Sequence, residues 1–231
     1  MRTLRRLVIA AVVLAAVGVG ADRLAVHVLE GKAADKLATS IGLSATPDVS
    51  IKGFPFLTQI ATGGLDEIDA SIDTYEATVP GGSTARLDDL ELRLRDVEFT
   101  NGFSAAKART ATGTALIPYD ELLKAAASDP GSGARVTRLS DGGEGRMKVE
   151  VTRDGQTYAV LSRVEVTGTT LRVRAENPPE AEGVSEEQIR SVTDFEQSIT
   201  RLPGGIALRD ATPLPEGLRL TVGGTDIPVS G

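Results

Sequence analysis

Residues 146–175 read RMKVEVTRDGQTYAVLSRVEVTGTTLRVRA, and this stretch decides the fold class. Met147, Val149 and Val151 alternate with Arg146, Lys148 and Glu150, and Asp154-Gly155 then supplies a two-residue hairpin turn. Tyr158, Val160, Val164 and Val166 share one parity, and Gly168-Thr169 makes a second tight turn into Leu171, Val173 and Ala175. Alternation this clean leaves one face buried and the other wet, which favours antiparallel pairing over a doubly covered parallel sheet. The stretch predicts a meander.

The same period of two extends outward in both directions. Val49 and Ile51 alternate with Ser50 and Lys52 and lead into Gly53-Phe54-Pro55-Phe56; Ile68, Ala70 and Ile72 follow, then Leu90, Leu92 and Leu94. Ile206 and Leu208, with Leu218, Leu220 and Val222, predict a closing pair of strands. Two short helices interrupt the strands. One opens at Ile117-Pro118 and runs through Leu122, Leu123 and Ala126, with Pro in the tolerated first turn. The other starts at the capping box Ser185-Glu186-Glu187-Gln188, turns Ile189, Val192, Phe195 and Ile199 inward, and stops at Leu202-Pro203-Gly204-Gly205.

Asp22 to Ile41 has a different period. Leu24, Val28, Gly31, Ala34, Ala38 and Ile41 recur at helical spacing, and Leu37 widens the stripe. Asp22 is the expected N-cap and Gly42 the expected stop, while Glu30, Lys32, Asp35 and Lys36 fill the wet face. Ahead of this helix, Arg2, Arg5 and Arg6 precede an unbroken apolar or small run from Leu7 to Ala21. At helical rise the run spans roughly 22 Å, short of a hydrocarbon core of about 30 Å. Val19-Gly20-Ala21 offers a small-residue cleavage site. Residues 1–21 are therefore expected to be a signal peptide or an N-terminal membrane anchor, with basic residues kept inside. The body is expected outside the cytoplasm, in a cell envelope or periplasm-like space or secreted.

Pro178-Pro179 is the best candidate boundary, but too little follows it for a second domain, so residues 22–231 are expected to form a single domain. The fold class is α+β.

Composition narrows the function. Of 231 residues, 25 are Lys or Arg and 32 Asp or Glu, so the chain carries −7 and its body beyond residue 21 carries −10. Nucleic-acid binding needs clustered positive charge, and no nucleic-acid partner is expected. The absence of Cys removes disulfides, thiol catalysis and lipid attachment at an N-terminal cysteine. His27, the only His, lies beside the apolar stripe with no G-x-S-x-G elbow in the chain, so a packed or partly exposed helix residue is expected there rather than a catalytic base. Ser140-Asp141-Gly142-Gly143-Glu144-Gly145 lacks the ligand spacing of a calcium loop and reads as a hairpin turn. With 3% aromatic residues and no Trp, few rings are available for stacking sugars. No enzyme activity, cofactor or metal is expected. Arg135, Arg138, Arg146 and Lys148 flank the 141–145 turn and could attract an anionic headgroup, or form a solvated strand face.

The segment Gly53-Phe54-Pro55-Phe56-Leu57-Thr58-Gln59, following an export signal and an amphipathic helix, resembles the LmeA-like phospholipid-binding family of the actinobacterial cell envelope. Thr112-Gly113-Thr114-Ala115-Leu116-Ile117-Pro118-Tyr119 is similar to a later landmark of the family, as is Leu202-Pro203 followed by Glu216-Gly217-Leu218. The chain departs from lipoprotein-like relatives in having no Cys. The resemblance implies a tubular lipid-binding-like fold: a long helix cradled by a strongly curved antiparallel sheet, with two short additional helices and an apolar cavity between helix and sheet. It also implies phospholipid binding at a membrane surface, lipid shuttling without catalysis, and support of membrane mannan glycolipid maturation. Periodicity and parity then assign Leu24, Val28, Leu37 and Ile41 of the helix, with Phe54, Phe56, Leu57 and Ile60, to the cavity lining. The alternative is an accessory interaction module for an envelope glycosyltransferase that carries no lipid.

Overall fold

Nothing in the first 41 residues interrupts a helix: there is no Pro, and the Ala-, Leu- and Val-rich run passes directly into Asp22–Ile41. In the computed structural model of the chain, which describes residues 2–41, 43, 46–78, 84–100, 105–126, 134–153, 155–176, 186–198 and 205–229, α1 runs unbroken over Arg2–Ile41. This corrects the expectation of a helix starting at Asp22. Asp22 lies within α1, so it cannot cap α1 and is free to serve another helix. Gly42, Asp154, Pro178-Pro179, Ser185, Ile199 and Leu202-Pro203-Gly204, each given a role by the sequence, lie outside the described residues.

After α1 come β1 (Asp48–Lys52), α2 (Phe56–Thr62), β2 (Gly64–Thr78), β3 (Thr84–Thr100) and β4 (Ala105–Pro118). Then follow α3 (Tyr119–Ala126), β5 (Ala134–Gly143), β6 (Arg146–Arg153), β7 (Gln156–Thr167) and β8 (Thr170–Glu176). The chain ends with α4 (Glu186–Thr193), β9 (Phe195–Ser198), β10 (Ile206–Leu214) and β11 (Gly217–Val229). The strands form two antiparallel sheets, ordered β1-β2-β3-β4-β11-β10 and β5-β6-β7-β8-β9. The α+β class with a long N-terminal helix is as expected. The single strongly curved sheet is not: there are two sheets, and neither is strongly curled. Alternation fixes which face of a strand is buried but not which distant strand it joins, and β4 finds its neighbour β11 only across the whole meander.

By compactness the chain divides into two units, one of residues 1–71, 92–111 and 225–231, the other of 72–91 and 112–224. In the second unit the meander is built as its alternation predicts. Val149 faces Val160 and Val151 faces Tyr158, and Thr167 meets Thr170 across the Gly168-Thr169 turn. Met147, Val149, Val151 and Val173 are buried in one cluster with Val136 and Leu139, covered by Tyr119, Leu122 and Leu123 of α3 and by Val192 of α4. The helix expected to run through Ile199 stops at Thr193, and Phe195 begins a strand paired with Val173. The open edge of β8 accounts for this. Glu196 reaches Arg172 at 2.9 Å and Arg174 at 3.3 Å across the new pair, so strand pairing wins over helix continuation.

Tyr119 ties α3 to β10. Its hydroxyl donates to the Leu214 carbonyl at 2.9 Å, and burial pushes the phenol up to about 12, with the charges of Asp141 and Glu216 adding to the effect. Beside this contact Gly217 packs so closely on β4 that a Cβ would stand 2.3 Å from the Ile117 carbonyl oxygen. Backbone cannot yield as a flexible side chain would. Gly217→Ala is therefore expected to destabilise the second unit by about 1–3 kcal/mol, read as a lower midpoint in chemical denaturation.

Candidate functional site

The first unit contains an apolar groove between α1 and the strands that follow it. Ala21, Leu24, Ala25, Val28, Leu29, Lys32 and Ala33 form one wall, a stripe set by the three- and four-residue neighbour spacing of a helix. Val49 and Ile51 of β1, Leu65 and Ile68 of β2 and Phe99 of β3 form the opposite wall, with Phe56 and Ile60 of α2 between them. The volume is about 910 Å³, at the upper end of the roughly 300–1,000 Å³ of small-molecule pockets. Ala at 21, 25 and 33 keeps the helix wall thin where Leu would fill the space. Leu24 is 65% and Val28 49% exposed, so the helix wall keeps large apolar side chains open to the groove, while Ile51, Phe56 and Leu65 of the lining are buried. Among the described lining residues Lys32 alone is charged. By contrast, the pocket that Leu122, Val136, Met147, Val173 and Val192 line in the second unit has a volume of about 30 Å³.

Two carboxylates of α1 fix the groove's width. Glu30 accepts the Ile51 N–H at 2.7 Å, satisfying a donor on the sheet's edge strand. Asp22 accepts the Leu57 N–H at 2.8 Å, reaching across 35 residues to the first turn of α2, where backbone donors have no partner within the helix. The Asp22 side chain is almost fully buried. The Leu57 N–H holds its carboxyl below the ordinary range against the opposing effect of burial, helped by Arg23 at 2.7 Å and the Phe56 N–H.

The intervening loop is held from both sides. Arg23 donates to the Gly53 carbonyl at 3.3 Å and stacks its guanidinium over the Phe54 ring, 5.2 Å from the centroid. Gly53 has φ +99°, and a Cβ there would stand 2.3 Å from Nε2 of Gln59 and 2.5 Å from Asp66. Gln59 in turn accepts the Asp66 N–H at 2.7 Å. The GFP turn and the LTQ that follows it thus lock into one another.

Of the residues assigned to the lining from sequence, Leu24, Val28, Phe56 and Ile60 meet in the groove. Phe54 and Leu57 do not line it; they are 60% and 47% exposed. Leu37 is half-buried outside the lining, and the side chain of Ile41 is outside the described residues. The strand contributions of Leu65, Ile68 and Phe99 carry no distinguishing signal in the sequence, since their alternation is equally that of a filled core. Arg135, Arg138, Arg146 and Lys148 lie on β5 and β6 of the second unit and not in the groove lining. Arg146 is paired with Glu144, and Lys148 with Glu150 at 3.0 Å. His27 is exposed on α1 between groove residues without joining them.

Removing the Asp22 carboxylate should loosen α2 first. For Asp22→Ala, hydrogen exchange over residues 56–62 is expected to accelerate roughly tenfold, the scale of a lost helix cap, with residues 146–175 unchanged. Because the folded value is depressed, protection of α2 is present above the ordinary carboxylate range. It is lost as pH falls through the depressed value; in Asp22→Asn that pH dependence should vanish.

No curated protein and no solved structure matches the chain. A family model described as LmeA-like phospholipid-binding matches residues 20–223, which takes in nearly all of the body and every groove-lining element. The chain belongs to the LmeA-like phospholipid-binding family.

Proposed function

We propose that the groove between α1 and β1–β2 holds the acyl chains of a phospholipid, and that the protein shuttles or presents lipid at the outer face of a membrane without catalysing a reaction. The observation that carries this reading is the groove itself: about 910 Å³ in volume, apolar except for Lys32, in a chain of a phospholipid-binding family. Burying a methylene is worth roughly 0.8 kcal/mol, so a two-chain lipid cannot be released into water at useful rates. Moving between bilayer and groove exchanges one apolar environment for another and leaves little free-energy difference to overcome. The task calls for a shaped apolar surface and no nucleophile or base.

In this reading residues 7–21 remain as an anchor. The 22–41 part of α1, with its charged residues and its contacts to β1 and α2, stands outside the hydrocarbon. The single charge in the groove orients the ligand. Lys32 lies roughly 16 Å along α1 from Ala21, so a lipid with its phosphate at Lys32 has its tails directed back toward the anchor. A role in mannan glycolipid maturation is the pathway-level extension of the same activity, with lipid supplied to or withdrawn from an envelope glycosyltransferase.

Photo-crosslinking tests the site. The full chain, reconstituted in vesicles whose phospholipid carries a diazirine on an acyl chain, is expected to give adducts on the peptides of residues 49–51, 56–60 and 65–68, besides those on residues 9–20. Val28→Asp should remove the first set and spare the second. Adducts confined to residues 9–20 would refute the groove as a lipid site. Lys32→Glu is expected to lower groove adducts from an anionic phospholipid several-fold and those from a zwitterionic one less.

A further inference from the structure

We infer that the segment Gly53–Leu57, the loop after β1 with the first turn of α2, is a bilayer wedge at the mouth of the groove, with Phe54 and Leu57 entering the outer leaflet beside the point where α1 leaves it. The inference rests on the groove as a phospholipid site and on residues 7–21 as a retained anchor. Three observations converge on it.

The first is exposure: Phe54 on the loop and Leu57 in the first turn of α2 stand 60% and 47% open, while Phe56 between them is buried in the groove. The segment thus turns apolar side chains two ways, inward to the groove and outward to the exposed surface, where Arg23 covers one face of Phe54. The second is attachment. The outward residues are tied to Asp22 and Arg23, the first two residues after the apolar run, through the Asp22–Leu57 hydrogen bond and the Arg23 contacts to Gly53 and Phe54. Wherever the helix emerges from hydrocarbon, this loop emerges with it. The third is length. The run Leu7–Ala21 covers roughly 22 Å of a core of about 30 Å, and a short span is accommodated by drawing its flanks toward the bilayer.

That mismatch brings Phe54 and Leu57 to the depth of the upper acyl chains. Arg23, its guanidinium over the Phe54 ring, meets the lipid phosphates just above that ring, as basic side chains do at such boundaries. Ala21 then lies at the leaflet edge of an opening whose floor continues through Leu24 above the hydrocarbon, and Phe56 and Ile60 lead it into the groove. A lipid passes from leaflet to groove sideways, along the face of α1, without crossing water.

The chain has no Trp, so Phe54→Trp creates a single fluorescent reporter in the otherwise unchanged full-length protein. In vesicles containing phospholipids brominated at defined acyl carbons, emission from the introduced indole is expected to be blue-shifted and quenched, most strongly by bromines near the glycerol end. Soluble acrylamide should have little effect. Leu57→Trp repeats the measurement if the first variant fails to fold. Phe54→Asp combined with Leu57→Asp should slow formation of groove adducts from vesicles several-fold, while adducts from lipid offered in detergent micelles form as before. Emission quenched by acrylamide and untouched by bromolipids, with groove adducts intact, would overturn the wedge and leave the lipid site standing. Quenching by bromolipids without groove adducts would keep the wedge and remove the lipid site.

Discussion

The hydrogen bond from the Leu57 N–H to the Asp22 carboxylate is the constraint on which the first unit depends. A helix as long as α1 has no intrinsic reason to stay near the short α2, whose own N-cap residue Pro55 makes no side-chain capping bond, and the groove occupies space between them that packing would otherwise fill. A nearly buried carboxylate accepting the donors of an otherwise open helix start supplies a strong and directional link. Glu30 repeats the device on the edge strand at Ile51. Two polar anchors, set apart along α1, hold the walls at a separation that apolar packing would otherwise have closed.

That division of labour separates the two units. In the second, Met147, Val149, Val151 and Val173 are buried together under Leu122 and Leu123 of α3 and Val192 of α4. In the first, Leu24 and Val28 stay exposed on a helix wall thinned by Ala21, Ala25 and Ala33. A soluble domain seldom leaves a contiguous apolar surface of this kind without use for it. Membership of a phospholipid-binding family supports the proposal that this surface takes lipid, and the continuity of α1 with the apolar run is consistent with a source in the membrane. The net negative body is no obstacle to the proposed function, in which the anchor and the apolar loop rather than surface charge hold the protein at the membrane.

Much of the fold is legible in the sequence because period-two alternation reports directly on burial. The described residues of 146–175 form the expected strands, with the Gly168-Thr169 turn between β7 and β8, and the closing pair β10–β11 forms too. The helix start expected at Asp22 fails because Asp before an apolar stripe is a cap signal whether or not the preceding residues are already helical. The cap function is real but serves α2, a long-range partner no local pattern encodes. Glu30 reads as one more wet-face residue for the same reason. Spacing alone puts Phe195 in a helix, yet the open edge of β8 and the pairing of Glu196 with Arg172 draw it into a strand. At the site, helical spacing finds Leu24 and Val28, and the GFPF segment supplies Phe56. Phe54 and Leu57 share that segment although the loop turns them outward. Whether alternating apolar residues such as Leu65 and Ile68 close a core or line a groove depends on what stands opposite, and sequence does not record that.

Whether the groove carries lipid can be decided by native mass spectrometry of the full chain released from phospholipid nanodiscs. One phospholipid is expected to stay with each chain after the surrounding lipid is stripped, to be lost in Val28→Asp, and to be kept in a variant altered only on the second unit, such as Arg138→Gln. A chain that emerges lipid-free, or a Val28→Asp variant that retains lipid as well as the parent does, would contradict the groove as the seat of binding.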